Sequence, residues 1–285
     1  MEKPVKMKKI TLLLAAILAV MPISAKSPKS PTPLKVISFN IRMGEAEDGT
    51  NSWKYRYGAT YEMIKDQLPD IMGLQEAYVY QVKFIQENFK KQYGSLGVGR
   101  EDGKHEGEHM EIFYNKNTIA FKKGGTFWLS ETPEKPSLGW DGACLRTATW
   151  ALLKDKRSGN EFFYVNTHLD HVGQVAREQG LALIIETIAK INPKGLPLLL
   201  TGDFNLDAGD PALNCLKGKM LSAREMAATT DKGSTFNGWG HSSGAIDHIY
   251  ETGFSSCSDF SVIRKKYADR TFISDHWPVC ALLYF

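Results

Sequence analysis

The stretch Leu196-Pro197-Leu198-Leu199-Leu200-Thr201-Gly202-Asp203-Phe204-Asn205-Leu206 constrains the fold more than any other part of the chain. Its apolar run has no polar alternation, so it predicts a strand buried on both faces. The run stops at Thr201-Gly202-Asp203-Phe204-Asn205. Gly202 permits tight backbone geometry. Asp203 and Asn205 then stand at the carboxyl end of a buried strand. Their spacing of two along an extended chain puts both side chains on one side. A carboxylate and a carboxamide placed together there suit chemistry, although Asp and Asn are also common turn residues. The rest of the chain decides between these readings.

The start of the chain is not part of the fold. Lys3, Lys6, Lys8 and Lys9 precede an apolar run over residues 10–21, and Ile23-Ser24-Ala25 offers small residues for cleavage. This pattern predicts a secretory signal peptide over 1–25, hence an exported protein, periplasmic or secreted. The apolar run is too short for a comfortable membrane span. Residues 26–33, rich in Ser, Pro and Lys, predict a flexible leader. Removing the signal takes away four Lys and one Glu, so the formal charge falls from +3 to neutral. No broad cationic surface is left to attract nucleic acid, although a local basic groove remains open. Residues 34–285 are enough for one large domain. The four cysteines, Cys144, Cys215, Cys257 and Cys280, match no paired zinc spacing.

Residues 34–40 alternate into a first strand. Helical patterns cover 55–68, 78–93 and 172–191, and 211–216 suits a short helix. Strand-like runs cover 70–76, 94–98, 111–115, 119–128, 147–153, 161–168, 245–250, 259–264 and 279–284. The Pro- and Gly-containing segment 130–142 reads as a surface loop. Many strands with a few helices between them predict an α/β or α+β fold with two packed sheets.

Polar residues collect where these runs end: Asn40, Glu76, His168, Asp203, Asn205, Asp247, Asp275 and His276. In sandwich and α/β folds such ends converge on one rim. Oxygen donors without clustered Cys suit a hard cation, Mg²⁺ or Mn²⁺. Histidines beside them suit phosphate chemistry, because they can donate to phosphoryl oxygens and neutralise charge that grows in the transition state.

Phe39-Asn40-Ile41-Arg42, Gly73-Leu74-Gln75-Glu76, Asn166-Thr167-His168, Gly202-Asp203-Phe204-Asn205, Ile246-Asp247 and Ser274-Asp275-His276 occur in this order. Together they resemble the successive motifs of the endonuclease/exonuclease/phosphatase (DNase I-like) superfamily over nearly all of residues 35–284. The resemblance implies a four-layered α/β/β/α sandwich and a Mg²⁺-dependent phosphoric-ester hydrolase. By the same resemblance, Glu76 with Asn40 would hold the metal and Asp275 could add to it. Asp203 would orient or deprotonate the attacking water, and Asn205 would hold the water or the phosphate. His168 and His276 would bind the scissile phosphate. Asp247 would orient His276, and Glu108 would pair with His168 in the same manner. Arg146 stands where relatives often carry an Arg near the phosphate. Arg177, on the long helix, reads as a surface ion-pair partner.

Segment 126–141 resembles a subgroup of bacterial members distantly like the carbon catabolite repressor deadenylases. Trp140 in it is expected to stack on a ring of the substrate, and Trp128 to pack in the core. Two other classes stay in view. Asn166-Thr167-His168-Leu169-Asp170-His171 resembles the signature of zinc-dependent metallo-β-lactamase-like hydrolases, but Asn replaces its first ligand. A non-catalytic binder on the same scaffold is the other. The substrate class stays open among nucleic acid, nucleotide, phospholipid head group and sugar phosphate. No stable protein partner is implied, and a monomer is expected.

Overall fold

The strands form in the places where apolar residues alternate or run unbroken, and two sheets result. The computed structural model describes residues 1–4 and 32–285, so the expected export signal and leader lie almost wholly outside the described residues. In chain order the elements are β1 (Leu34–Asn40), α1 (Trp53–Gln67), β2 (Ile71–Gln75), α2 (Val79–Phe89), β3 (Tyr93–Leu96), β4 (Ile112–Asn115), β5 (Ile119–Trp128) and β6 (Thr147–Asp155). There follow β7 (Glu161–His168), α3 (Gln174–Ile191), β8 (Leu198–Asp203), β9 (Leu221–Ser222), α4 (Ala223–Met226), β10 (Thr229–Thr230), β11 (Asp247–Thr252), β12 (Ser256–Val262) and β13 (Val279–Tyr284). One sheet has the order β10-β12-β13-β1-β2-β4-β3 and the other β5-β6-β7-β8-β11-β9.

Side-chain alternation explains the layers. Val36, Ile71, Tyr164, Leu199 and Ile249 fill the core between the sheets. Their neighbours Ile37 and Met72 face the other way, onto Met63 and Ile64 of α1 and Val82 and Ile85 of α2. Val165, Leu198 and Leu200 likewise pack on Leu181, Ile184 and Ile188 of α3. The result is the expected four-layered sandwich. Strand β8 is buried along its whole length.

The inner face turns polar at one end of the sandwich. Continuing the period from Val36, Ile71, Tyr164, Leu199 and Ile249, the inner positions become Ser38 and Asn40, Gln75, Asn166 and His168, Thr201 and Asp203, and Asp247. β1 runs parallel to β2, and β7 to β8, so their carboxyl ends point the same way. Asp247 opens β11 opposite Asp203 in antiparallel register. A polar layer ties the sheets together just beneath. Gln75 Nε2 donates to Asn166 Oδ1 at 2.6 Å, and Asn166 Nδ2 donates to the Leu74 carbonyl at 2.7 Å. Gly73 is required there, since a Cβ would lie 2.5 Å from both Asn166 Oδ1 and the Tyr164 hydroxyl.

Some boundaries differ from the sequence reading. α1 starts earlier and ends at Gln67, where Leu68 turns left-handed (φ 43) ahead of Pro69. α2 ends at Phe89 rather than at residue 93, because Tyr93 begins β3. Segment 211–216 is 3₁₀ rather than α-helical, with Asp210 capping the Ala212 N–H. The very short β9, α4 and β10 carry no readable period. All four cysteines are free.

Candidate active site

The strand ends and the loops after them surround a cleft of about 540 Å³. Glu76, Glu108, Arg146, His168, Asp203, Asn205, Asp275 and His276 all line it. Asn40 and Asp247 sit behind them, both buried. The backbone is strained where it delivers three of the cleft side chains: Arg42 (φ 60), Glu76 (φ 60) and Asn205 (φ 51) are left-handed without being glycine. Such conformations cost roughly 1–3 kcal/mol each and collect at functional sites. They let Glu76 and Asn205, which follow β2 and β8, swing out of the strand direction.

Asp203 is the hub. Its Oδ2 accepts from Asn40 Nδ2 at 2.9 Å and lies 3.4 Å from His168 Nε2 and 3.6 Å from His276 Nε2. Its Oδ1 accepts from the Asn205 N–H at 2.9 Å. Burial pushes Asp203 up to about 7, with Asp247 adding to the shift and the His276 cation opposing it.

The two histidines are driven in opposite directions. His276 donates from Nδ1 to Asp247 Oδ2 at 2.9 Å. Burial works against its charge, but the Asp247 and Asp203 carboxylates outweigh that and push it up to about 10. Burial and the nearby Arg146 and Arg100 cations hold His168 well below its ordinary value, so it is neutral. His168 Nε2 accepts from Asn205 Nδ2 at 3.1 Å, which puts its proton on Nδ1.

On the other side stand two carboxylates. Glu76 accepts from Asn40 Nδ2 and from the Met43 N–H, both at 2.9 Å. Desolvation opposes its charge, yet those hydrogen bonds outweigh it and hold Glu76 below its ordinary value. Burial, with Glu76 adding, raises Asp275. Arg42 Nη1 lies 3.9 Å from Glu76 Oε2 and 3.5 Å from Asp275 Oδ2, so the two carboxylates already share a cation. This donor set fits a hard divalent metal: both carboxylates are deprotonatable oxygen donors and face the cleft together. Asn40 is placed differently from a plain ligand. Its amide nitrogen bridges Glu76 and Asp203, and its Oδ1 accepts the Arg42 N–H at 3.0 Å.

Three expected partners sit otherwise than the sequence suggested. Glu108 Oε2 is 3.9 Å from His168 Nδ1, beyond hydrogen-bond reach, because Arg100 Nη1 holds it at 2.6 Å. Trp140 is not among the cleft-lining residues. Asp141 instead pins its loop to the first turn of α3 through the Val175 and Ala176 N–H groups. Arg177 donates to the Asp170 carbonyl and to Gln174 rather than to a carboxylate. Trp128 is buried as expected, its Nε1 donating to the Arg100 carbonyl at 2.7 Å. The zinc-hydrolase alternative fails on Asn166, whose amide is used between the sheets.

The cleft also holds residues that the sequence did not single out, chiefly Tyr78, Arg100 and Phe236. Arg100 lies in a Gly- and Asp-containing turn and looks there like any solvated arginine. His171 also lines the cleft, while Asp170 makes the turn by accepting the Val172 and Gly173 N–H groups.

A four-layered sandwich that closes on a carboxylate–histidine cluster at one end defines a class of phosphoester hydrolases. The chain belongs to the Endonuclease/Exonuclease/phosphatase family, whose model matches residues 37–276. Its fold resembles that of a mannosyl-6-phosphatase from Bacteroides thetaiotaomicron, with a TM-score of 0.84 and 34% identity over 88% of this chain and 100% of that one. A family member from Bacteroides vulgatus gives a TM-score of 0.83 and 35% identity over 89% and 99% of the two chains. The catalytic domain of human Nocturnin, solved with bound sulfate, is 18% identical with a TM-score of 0.71 over 89% and 94%, a likeness of fold alone. Members of the family act on phosphoester bonds and typically depend on a divalent metal.

Proposed function

We propose that this chain is an exported, Mg²⁺-dependent phosphatase that hydrolyses the phosphomonoester of a sugar phosphate. The observation that carries the reading is the geometry of the cleft: Asp203 Oδ2 lies 3.4 Å from His168 Nε2 and 3.6 Å from His276 Nε2, beside the Glu76–Asp275 carboxylates. Groups whose surroundings push their pKa values apart are the usual sign of divided acid–base roles. The sugar phosphate is supported by the likeness to a mannosyl-6-phosphatase at 34% identity. Export is supported by the basic, apolar and small-residue sequence of residues 1–25.

Glu76 and Asp275 would hold the metal, with Asn40 keeping Glu76 oriented. When bound, the metal supplies Lewis acidity toward phosphoryl oxygen. Asp203 accepts the proton of the attacking water; its pKa near 7 suits a base that works near neutrality. Asn205 and His168, hydrogen-bonded to each other, form a neutral flank of the cleft beside Asp203. His276, kept cationic by Asp247, offsets the charge that accumulates as the phosphoryl group transfers. None of these groups needs to move far, because each stands on or next to a rigid strand.

The test is phosphate release from mannose 6-phosphate, other sugar phosphates, nucleotides and phosphodiesters. It is run with Mg²⁺, with EDTA, and with Mg²⁺ restored. Release from a sugar phosphate that EDTA abolishes and Mg²⁺ restores is expected. Absence of EDTA-sensitive release from every sugar phosphate overturns the substrate reading, and absence from every ester overturns the hydrolase.

A further inference from the structure

Three loops bring cationic or polar groups to the His168 side of the cleft. Arg100 comes from the segment between β3 and β4, Arg146 from just before β6, and His171 from just after β7. Arg146 is 6% exposed. Its Nη2 meets His171 Nδ1 at 3.1 Å, and its Nε stands 3.6 Å from Asp170 Oδ2, too far for a hydrogen bond. Neither Nε nor Nη1 of Arg146 has a hydrogen-bond partner among the described residues.

The nearest carboxylate cannot satisfy this cation. Asp170 Oδ1 accepts the Val172 and Gly173 N–H groups at 2.9 and 2.8 Å. Its Oδ2 accepts those of Ala143 and Cys144 at 3.0 and 3.3 Å. A carboxylate has about four lone-pair sites, so Asp170 is full. It fixes the two loops and orients Arg146 without neutralising it closely. The other cleft arginines are committed: Arg42 to Asp48 through two nitrogens, and Arg100 to Glu108 and Glu101. A buried guanidinium with unmet N–H groups in a cleft calls for an anionic ligand.

We propose that Arg146, positioned by Asp170 and flanked by Arg100 and His171, is the receptor for the second negative charge of a phosphomonoester, and that this wall sets the preference for monoesters over diesters. The proposal rests on the hydrolase reading and refines it. Near neutral pH a phosphate monoester carries between one and two charges, because its second ionisation lies near pH 6. A diester carries one, and its fourth oxygen is capped by a substituent. The metal side and His276 answer the charge that both esters share. Arg146 answers the oxygen that only the monoester leaves free, through charge-assisted hydrogen bonds.

The experiment compares p-nitrophenyl phosphate with bis-p-nitrophenyl phosphate, which share a leaving group, with Mg²⁺ at pH 7.5. Wild type is compared with Arg146→Gln, Arg146→Lys and Arg100→Gln. Arg146→Gln is expected to lower kcat/KM for the monoester by roughly 10- to 100-fold, the worth of hydrogen bonds to a charged group, and that for the diester by a clearly smaller factor. Arg146→Lys restores part of the preference, and Arg100→Gln shifts it the same way by less. Calorimetry with inorganic phosphate in EDTA adds a readout without turnover: wild type binds, and Arg146→Gln binds more weakly. Equal losses on both esters, or phosphate binding that Arg146→Gln leaves unchanged, overturn the wall while the hydrolase reading stands. A wild-type protein that turns over neither ester overturns the hydrolase, and the wall as its selector with it.

Discussion

His276 donates from Nδ1 to Asp247 Oδ2 at 2.9 Å, and both side chains are buried. That bond links two strand-end residues that lie far apart in sequence. It fixes the imidazole ring and sets its charge. Asp247→Asn removes the charge and keeps the shape. The variant is expected to lose roughly 10²- to 10⁴-fold in kcat, the range of acid–base contributions, with a smaller change in KM. A ring proton titration by NMR should show His276 falling from its raised value toward the ordinary histidine range. An unchanged kcat with a shifted ring would separate the bond from catalysis and sink the assignment.

The same groups define a pH profile. Asp203 must be ionised to take a proton from water, so activity appears as pH rises through its pKa, about 7 in this structure. His276 must stay charged, so activity is lost as pH rises through about 10. A bell with an alkaline optimum is expected, and a metal cation bound nearby draws its acid limb below 7. In Asp247→Asn the alkaline limb should move toward neutrality. A profile whose alkaline limb does not respond to this substitution contradicts the role given to His276.

How far the sequence foretold the site depends on where each residue stands. Asn40, His168, Asp203 and Asp247 were legible because they continue the inner-face period of buried strands, and Glu76 because it closes one. Their apolar neighbours announce the strand, and the strand announces the residue. Arg100 and Phe236 come from irregular segments, where no period marks one side chain out. Trp140 is hard to place for the same reason: a tryptophan in a loop advertises contact but not direction, and it is not among the cleft-lining residues. Glu108 was reached through the family resemblance, but nothing local shows that Arg100 would claim its carboxylate. Arg56 hid best, sitting in α1 among lysines and tyrosines that give the helix a solvated look.

Arg56 is fully buried and, among the described residues, its hydrogen bonds go to backbone carbonyls rather than to a carboxylate. It donates to the carbonyls of Asn51 at 2.8 Å, Arg42 at 2.8 Å and Ile273 at 3.3 Å, and also to that of Ile41. It therefore ties α1 to the segments that carry Asn40 and Asp275. Arg56→Met leaves these carbonyls unpaired and should cost roughly 3 kcal/mol or more, at 1–3 kcal/mol for each buried group left unsatisfied. Arg56→Lys should recover little, since one ammonium cannot reproduce the planar fork. Urea unfolding measures both. A loss below about 1 kcal/mol in Arg56→Met would show the clamp to be dispensable.

Gly202 is needed for space. A Cβ there would lie 2.1 Å from the Thr167 carbonyl oxygen of the paired strand β7. Backbone cannot step aside cheaply in the middle of a six-stranded sheet. Gly202→Ala should cost roughly 1–3 kcal/mol or more, as overpacked cores do, and should displace Asp203 from its partners. A variant with wild-type stability and activity would mean that the two strands separate more easily than their register suggests.

His248 makes the fold sensitive to acid. Its buried ring packs beside the stacked Phe204 and Tyr250, at centroid distances of 5.1 and 5.8 Å, and Nε2 donates to the Leu206 carbonyl at 2.7 Å. Burial lowers its pKa in the folded chain, so the native state keeps it neutral. The unfolded chain accepts a proton near pH 6.5. Below that pH the unfolded state binds more protons, and stability must fall as pH falls, by up to about 1.4 kcal/mol per pH unit for one group. Gln at this position keeps a donor for Leu206 and does not titrate. Unfolding midpoints in urea at pH 7.5, 6.5 and 5.5 should therefore decline less steeply in His248→Gln than in wild type. His168 and His276 titrate in both proteins, so the difference in slope isolates His248. Parallel slopes would mean that the pocket admits the charged ring after all.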